Sequence, residues 1–220
     1  MTAQQTHTAV AGVGALFDLD GVLIDSETEY TRIWGDIEAC FPTGIDNFPL
    51  VIKGTTLPHI LDTYFADEPV RSQVVEMLRD RENRMEYRPI AGALEFLDAL
   101  AEAGIPSAIV TSSNDEKMAN LYSQLPGFRE RFAAIVTSCD VRNSKPDPEG
   151  YHLAASRLGL APERCCVFED SFSGLEAGRR AGGAVVALAT TNPRHSLAGR
   201  ADMTIDDFAE MTIERLLALF

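Results

Sequence analysis

The sequence predicts an α/β fold, a Rossmann-like parallel sheet core with an inserted helical cap domain. Two observations lead to it. Short, almost wholly apolar runs alternate with segments of helical period, and one interval of about sixty residues after the first run carries helical periods with no strand between them. Strand, helix and strand in succession imply right-handed crossovers and a mainly parallel sheet covered on both faces. A chain of 220 residues has room for a core domain and a smaller insertion. The expected division is residues 1–27 and 88–220 for the core, and 28–87 for the cap.

The elements follow in order. "VGALFD" ends the first apolar run at Asp18. Between Ser26 and about Arg88, "YTRIWGDIEACF", "LPHILDTYFA" and "VRSQVVEMLRDRENRMEY" read as helices, and "EYRPIAGA" punctuates the return to the core. "PSAIVTS" (106–112), "AAIVTS" (133–138), "CCVFED" (165–170) and "AVVAL" (184–188) are apolar at nearly every position, as strands buried on both faces must be. Helical patterns cover 93–104, 149–159 and 173–183, and each finishes on glycine, the favoured residue just past a helix end. "ADMTIDDF" reads as a last edge strand and its turn.

Composition narrows the function. An apolar share of 45% is that of an ordinary globular protein. A formal net charge of −14 argues against nucleic-acid or anionic-membrane partners, which call for a basic surface. An anionic substrate would then need local neutralisation by a metal ion or a few cations. Cys40, Cys139, Cys165 and Cys166 lack zinc-like spacing and read as free thiols in a reducing compartment. The N-terminal stretch has no basic region followed by a long apolar core, and no apolar run reaches the roughly 18 residues of a membrane span. A cytoplasmic protein, monomer or weak homodimer, is expected.

In an open parallel sheet, ligands bind beyond the carboxyl ends of the strands. The first strand ends in Asp18 and Asp20, the second in Thr111, Ser112 and Ser113, and the fourth in Glu169 and Asp170, while Lys145 lies in the loop after the third. Singly, each has a plain explanation: hydroxyls and carboxylates after a strand commonly cap the next helix, and a lysine in a proline-rich loop is usually solvated. Asp18 and Asp20 are harder to explain so. Strand residues two apart point the same way, about 7 Å apart, and two carboxylates there repel unless something positive intervenes. A hard divalent cation such as magnesium would resolve this, with Glu169 and Asp170 completing its shell.

Such a set suits phosphoryl transfer. An aspartate can accept the phosphoryl group, and a second acid can protonate the departing alkoxide and then activate water. Magnesium and an ammonium group can neutralise the phosphoryl oxygens, and hydroxyl donors can hold the rest. From the cap, Lys53 beside Gly54 is a candidate substrate contact, in a loop able to approach the cleft.

The segments "DLDGV" (18–22), "VTSS" (110–113), "SKPDP" (144–148) and "FED" (168–170) stand in the order of four family motifs. By them the chain resembles the haloacid dehalogenase-like hydrolases, in the capped branch that contains beta-phosphoglucomutase and sugar-phosphate phosphatases. The resemblance implies Asp18 as nucleophile and Asp20 as general acid/base. It further implies Thr111, Ser112 and Lys145 on the phosphate, and Asp18, the Asp20 carbonyl, Glu169 and Asp170 on magnesium. Dehalogenating members lack an acid at the position of Asp20. Mutases carry a histidine where Tyr30 stands, and an arginine in the cap where Leu57 stands. A magnesium-dependent phosphatase of a small phosphorylated metabolite is therefore expected, its cap closing over the cleft, with a phosphosugar mutase as the alternative. A non-catalytic binding module is disfavoured by the intact acids and Lys145.

Overall fold

The computed structural model of the chain describes residues 12–52 and 57–220. These form two compact units, one comprising Asp25–Arg88 and the other the residues on either side of it. Lys53 lies outside the described residues.

The chain enters the core as β1 (Gly14–Phe17) and turns sharply after Asp18, where Leu23 N–H donates to the Leu19 carbonyl at 2.9 Å and Gly21 N–H to Ile24 at 2.8 Å. The helical unit follows, with α1 (Glu27–Cys40), α2 (Phe48–Val51), α3 (Leu57–Tyr64) and α4 (Glu68–Asn83). Its own core gathers Ile33, Trp34, Ile37, Phe48, Phe65 and Leu78, with the indole of Trp34 stacked on Phe65 at 6.4 Å. Trp34 thus packs the interior of this unit. The apolar residues of α1 recur at intervals of three and four, which gives the helix one face to bury.

The core resumes with α5 (Ala93–Glu102), β2 (Ser107–Val110), α6 (Asp115–Gln124), β3 (Ala134–Val136), α7 (Glu149–Arg157), β4 (Cys165–Glu169), α8 (Phe172–Ala181), β5 (Ala184–Leu188), β6 (Met203–Ile205) and α9 (Ile213–Leu217). All six strands pair in parallel in the order β3-β2-β1-β4-β5-β6. This is the α/β architecture expected from the alternation of apolar runs, and β6 takes the edge. Two of the anticipated glycine stops, Gly104 and Gly159, have φ of 69 and 71°, while the third helix stops one residue earlier than expected, at Gly182 with φ of 88°. Helix α6 was not anticipated. It is short and mostly polar, buries Met118 and Leu121, and starts where Asn114 Oδ1 accepts the Lys117 N–H at 2.9 Å.

Alternation along β1 and β4 sends side chains to two different layers. Leu16 and Val167 join Tyr151, Ala154, Leu175 and Ala177 on the face covered by α7 and α8. Phe17 and Phe168, partners in register, stack at 4.6 Å on the opposite face and meet Phe96 of α5 and Phe208. The aromatic cluster thereby fixes the height of β1 against β4, and with it the residues that follow each strand. Removing Phe96 leaves a cavity under both central strands. Phe96→Ala should lower the unfolding free energy by about 3–5 kcal/mol, read as a fall in the urea midpoint with an unchanged slope.

Candidate active site

The order of strands reverses beside β1, whose next neighbour in sequence is β2 on one side and whose other neighbour is β4. A crevice opens beyond the carboxyl ends at such a point. Because Phe17 pairs with Phe168, the residues that follow, Asp18 and Glu169, emerge side by side, and Asp18 N–H still donates to the Phe168 carbonyl at 3.0 Å.

Lys145, from the loop before α7, reaches into this junction. Its ammonium donates to Asp18, to Glu169 Oε1 at 2.6 Å and to the Val110 carbonyl at 3.0 Å, so its three protons have three acceptors. The solvated reading of this lysine is therefore wrong: its side chain is 12% exposed. Glu169 is fully buried. Oε1 also accepts from the Tyr151 hydroxyl at 2.7 Å, and Oε2 from the Asp170 and Ser171 N–H groups and the Ser171 hydroxyl at 3.1–3.3 Å. Capping and site formation coexist here. Ser171 caps α8 by accepting the Gly174 N–H at 3.0 Å, and a Cβ on Gly174 would stand 1.8 Å from Glu169 Oε1.

Asp170 accepts from the Thr191 hydroxyl, and its carbonyl from the Asn192 amide at 2.9 Å. The loop after β5 thus braces the acid. Gly21 completes the packing: with φ of 74°, it brings the turn after β1 so close that a Cβ would lie 2.1 Å from Asp170 Oδ2. His195 of the same loop is exposed at the surface.

Asp18, Glu169 and Asp170 each offer a carboxylate oxygen, and the three oxygens lie within 4.8 Å of one another. Three buried carboxylates face one ammonium. Burial pushes the Asp18 carboxyl up to about 7, outweighing the attraction of a lysine that it shares with Glu169. Burial, then Glu169 and Asp18, raise Asp170 well above the usual carboxylate range. Lys145 moves up as well, because its two acidic partners outweigh its own burial. Oxygen donors with an excess of negative charge fit a hard divalent cation, which would relieve the same repulsion that raises the two aspartates.

The remaining candidates occupy the other side of β1. Asp20 stands outside the three-acid group, its carboxylate accepting from Ser113 Oγ at 2.9 Å and from Lys117 Nζ at 2.7 and 2.8 Å. Thr111 is buried, and its hydroxyl accepts the Ser113 N–H at 3.0 Å, bracing the turn; Ser112 is exposed. Both line a small depression that also contains Lys145. Ser113 stood among the rim hydroxyls read from the sequence, without a role of its own. Lys117, Tyr151 and Thr191 escaped that reading, since they sit in helices or loops where polar residues are ordinary.

Comparison with known proteins gives the family. A family model described as haloacid dehalogenase-like hydrolase matches residues 14–182. The chain belongs to that family. Among these hydrolases, the validoxylamine A 7'-phosphate phosphatase of Streptomyces hygroscopicus subsp. limoneus is 32% identical over 208 residues, 90% of this chain and 94% of the relative. Hexitol phosphatase A of Escherichia coli is 33% identical over 183 residues, 80% of this chain and 82% of the relative. The crystal structure of a haloacid dehalogenase family hydrolase from Deinococcus radiodurans, with bound phosphate and sodium, superposes with a TM-score of 0.78 at 28% identity. It covers 93% of this chain and 95% of that one. No helix among the described residues is long and apolar enough to cross a membrane.

The acid cluster sets the pH dependence of the metal-free hydrolase. Folded Asp18 keeps a proton up to about pH 7, while the unfolded chain loses it near 3.8. Between those values native Asp18 binds more protons than the unfolded chain, so its contribution to stability should fall as pH rises from about 4 to about 7. Denaturant unfolding in EDTA across this range reads the slope, and Asp18→Asn should reduce it. An unchanged slope in that variant would assign the titration elsewhere.

Proposed function

We propose that this phosphoric monoester hydrolase acts on a small polyhydroxylated phosphate ester through an aspartyl-phosphate intermediate, with magnesium as its metal. The observation that carries the reading is the bridge of Lys145 between Asp18 and Glu169, beside Asp170 at the junction of β1 and β4. Asp18 is the nucleophile. Its carboxylate oxygen attacks phosphorus, the bond from phosphorus to the ester oxygen breaks, and Asp20 gives a proton to the leaving alkoxide. Water then attacks the phosphorus and returns a proton to Asp20, and the bond to Asp18 breaks. Inorganic phosphate leaves, and both aspartates return to their starting states.

Asp18, Asp170 and the Asp20 carbonyl would hold magnesium, with Glu169 joining them. When bound, the ion supplies positive charge against the phosphoryl oxygens. Glu169 has a second part to play: five donors fix its carboxylate, and it in turn orients Lys145. Lys145 lends the phosphoryl group positive charge, and Thr111 and Ser112 flank it from the end of β2. Lys53 is a further substrate contact in this reading.

The polyol class draws support from two phosphatases of similar sequence, named for a hexitol and for validoxylamine A 7'-phosphate. The helical unit, the cap in this reading, contains a cavity of about 320 Å³. Glu27, Tyr30, Thr31, Trp34 and Glu82 are among the residues lining it. Its acids and hydroxyls, set among apolar side chains, suit a hydroxylated carbon skeleton. Tyr30, whose hydroxyl donates to Glu82 at 2.9 Å, stands where mutases of the branch have histidine, which favours transfer to water over transfer to a sugar hydroxyl.

A screen of sugar, polyol, nucleotide and small-acid phosphates with magnesium should release inorganic phosphate fastest from a polyol or sugar ester. Asp18→Asn should cut turnover by at least about 10⁴-fold while the far-UV spectrum holds, and chelation should stop the reaction until magnesium is restored. Full activity in Asp18→Asn would refute the mechanism. Glucose 6-phosphate formed from beta-glucose 1-phosphate with a bisphosphate activator, without free phosphate, would favour the mutase.

A further inference from the structure

We propose that Lys117 is the positioning residue for Asp20. The inference rests on the acid/base reading of Asp20 and adds a residue to it. The ammonium of Lys117 lies 2.7 Å from one carboxylate oxygen of Asp20 and 2.8 Å from the other, and Ser113 Oγ meets the second oxygen at 2.9 Å. A forked contact from one side and a hydroxyl from the same segment fix both the torsion of the carboxylate and its distance from β2. The pair is substantially shielded, with side chains 15% and 29% exposed.

Lys117 occupies this position against local preference. It is the third residue of α6, in a turn that begins with Asp115 and Glu116, and the positive end of a helix dipole disfavours a cation there. Its backbone N–H is the one that Asn114 Oδ1 accepts, so the cap that starts the helix also sets the height from which the side chain reaches. Asp20 follows β1 while Lys117 lies in the helix after β2, and the parallel pairing of those strands holds the two at one rim. A long side chain anchored on a capped helix start, forked on a carboxylate 97 positions away, fixes that carboxylate.

The consequence is specific to proton delivery. Before the step Asp20 carries its proton on one oxygen while Lys117 holds the other; the proton passes to the alkoxide, and the observed fork closes on the carboxylate that remains. An acid misplaced by about 1 Å can cost 10²-fold in rate. The loss falls on esters whose alkoxide must be protonated to leave, and much less on those whose leaving group departs as a stable anion. Asp18, Lys145 and Asp170 have their own supports on the β4 side, so attack on phosphorus does not depend on Lys117.

The test compares kcat/KM for sorbitol 6-phosphate and p-nitrophenyl phosphate, a value that covers the steps through departure of the leaving group. In Lys117→Met the fall on sorbitol 6-phosphate should be about 100-fold, and at least about tenfold larger than that on p-nitrophenyl phosphate. Lys117→Arg, which can fork on the same carboxylate, should recover most of the loss. If Lys117→Met does not fold, Lys117→Gln carries the comparison, because it keeps a donor but loses the charge and the reach. Equal losses on both esters, or none on sorbitol 6-phosphate, would overturn the assignment. Asp20→Asn separates the two possible failures. If it splits the esters and the Lys117 variants do not, the positioning role alone is wrong. If it does not split them either, the acid/base reading falls and takes the positioning role with it.

Discussion

Three carboxylates at the ends of two neighbouring strands, with one ammonium among them, form the constraint on which the rest of the molecule turns. Asp18, Glu169 and Asp170 are buried and held by hydrogen bonds: Lys145 is shared by Asp18 and Glu169, four further donors fix Glu169, and the Thr191 hydroxyl supports Asp170. Buried charge of one sign is costly unless it is paired or handed to a metal. Lys145 offsets part of the excess, and the three oxygens together are a donor set that suits a hard cation. Burial and the neighbouring acids raise the proton affinity of Asp18 and Asp170.

Packing beneath the acids keeps them there. Phe17 and Phe168 immediately precede Asp18 and Glu169, and their stacking in the aromatic cluster leaves little freedom for the strands to slide. A slip of one residue would turn Asp18 into the sheet and bring a phenyl ring to the rim. Backbone approach adds a second lock. Gly21 and Gly174 stand so close to Asp170 and Glu169 that a methyl group on either would overlap a carboxylate. The acid cluster therefore depends on what is absent from two neighbouring residues as much as on its hydrogen bonds.

On the other side of β1 the electrostatics differ. Asp20 is partly exposed and forked by Lys117, with Ser113 beside it, while Asp18 shares its lysine with Glu169 in a buried site. Two aspartates two residues apart thus live in unlike environments, a common means of giving like groups unlike roles. This division suits a pair in which one acid takes the phosphoryl group and the other handles protons.

Much of this was legible in the residues. Short apolar runs bounded by turn residues read as strands because they are too brief for a buried helix, and glycines at 104 and 159 marked helix ends because a positive φ excludes most alternatives there. Asp18, Lys145, Glu169 and Asp170 were readable as a group because strand ends in a parallel sheet share one rim. Helix α6 was missed, since ten mostly polar residues carry too faint a period, and Lys117 was lost with it. The engagement of Asp20 by a lysine 97 residues away, the bracing of Asp170 by Thr191, and the turn of Thr111 inward to its own loop belong to tertiary structure alone. Local pattern determines which face of an element is apolar, but a hydrogen bond depends on distances of a few tenths of an ångström, and these are set when separate strands and helices pack together.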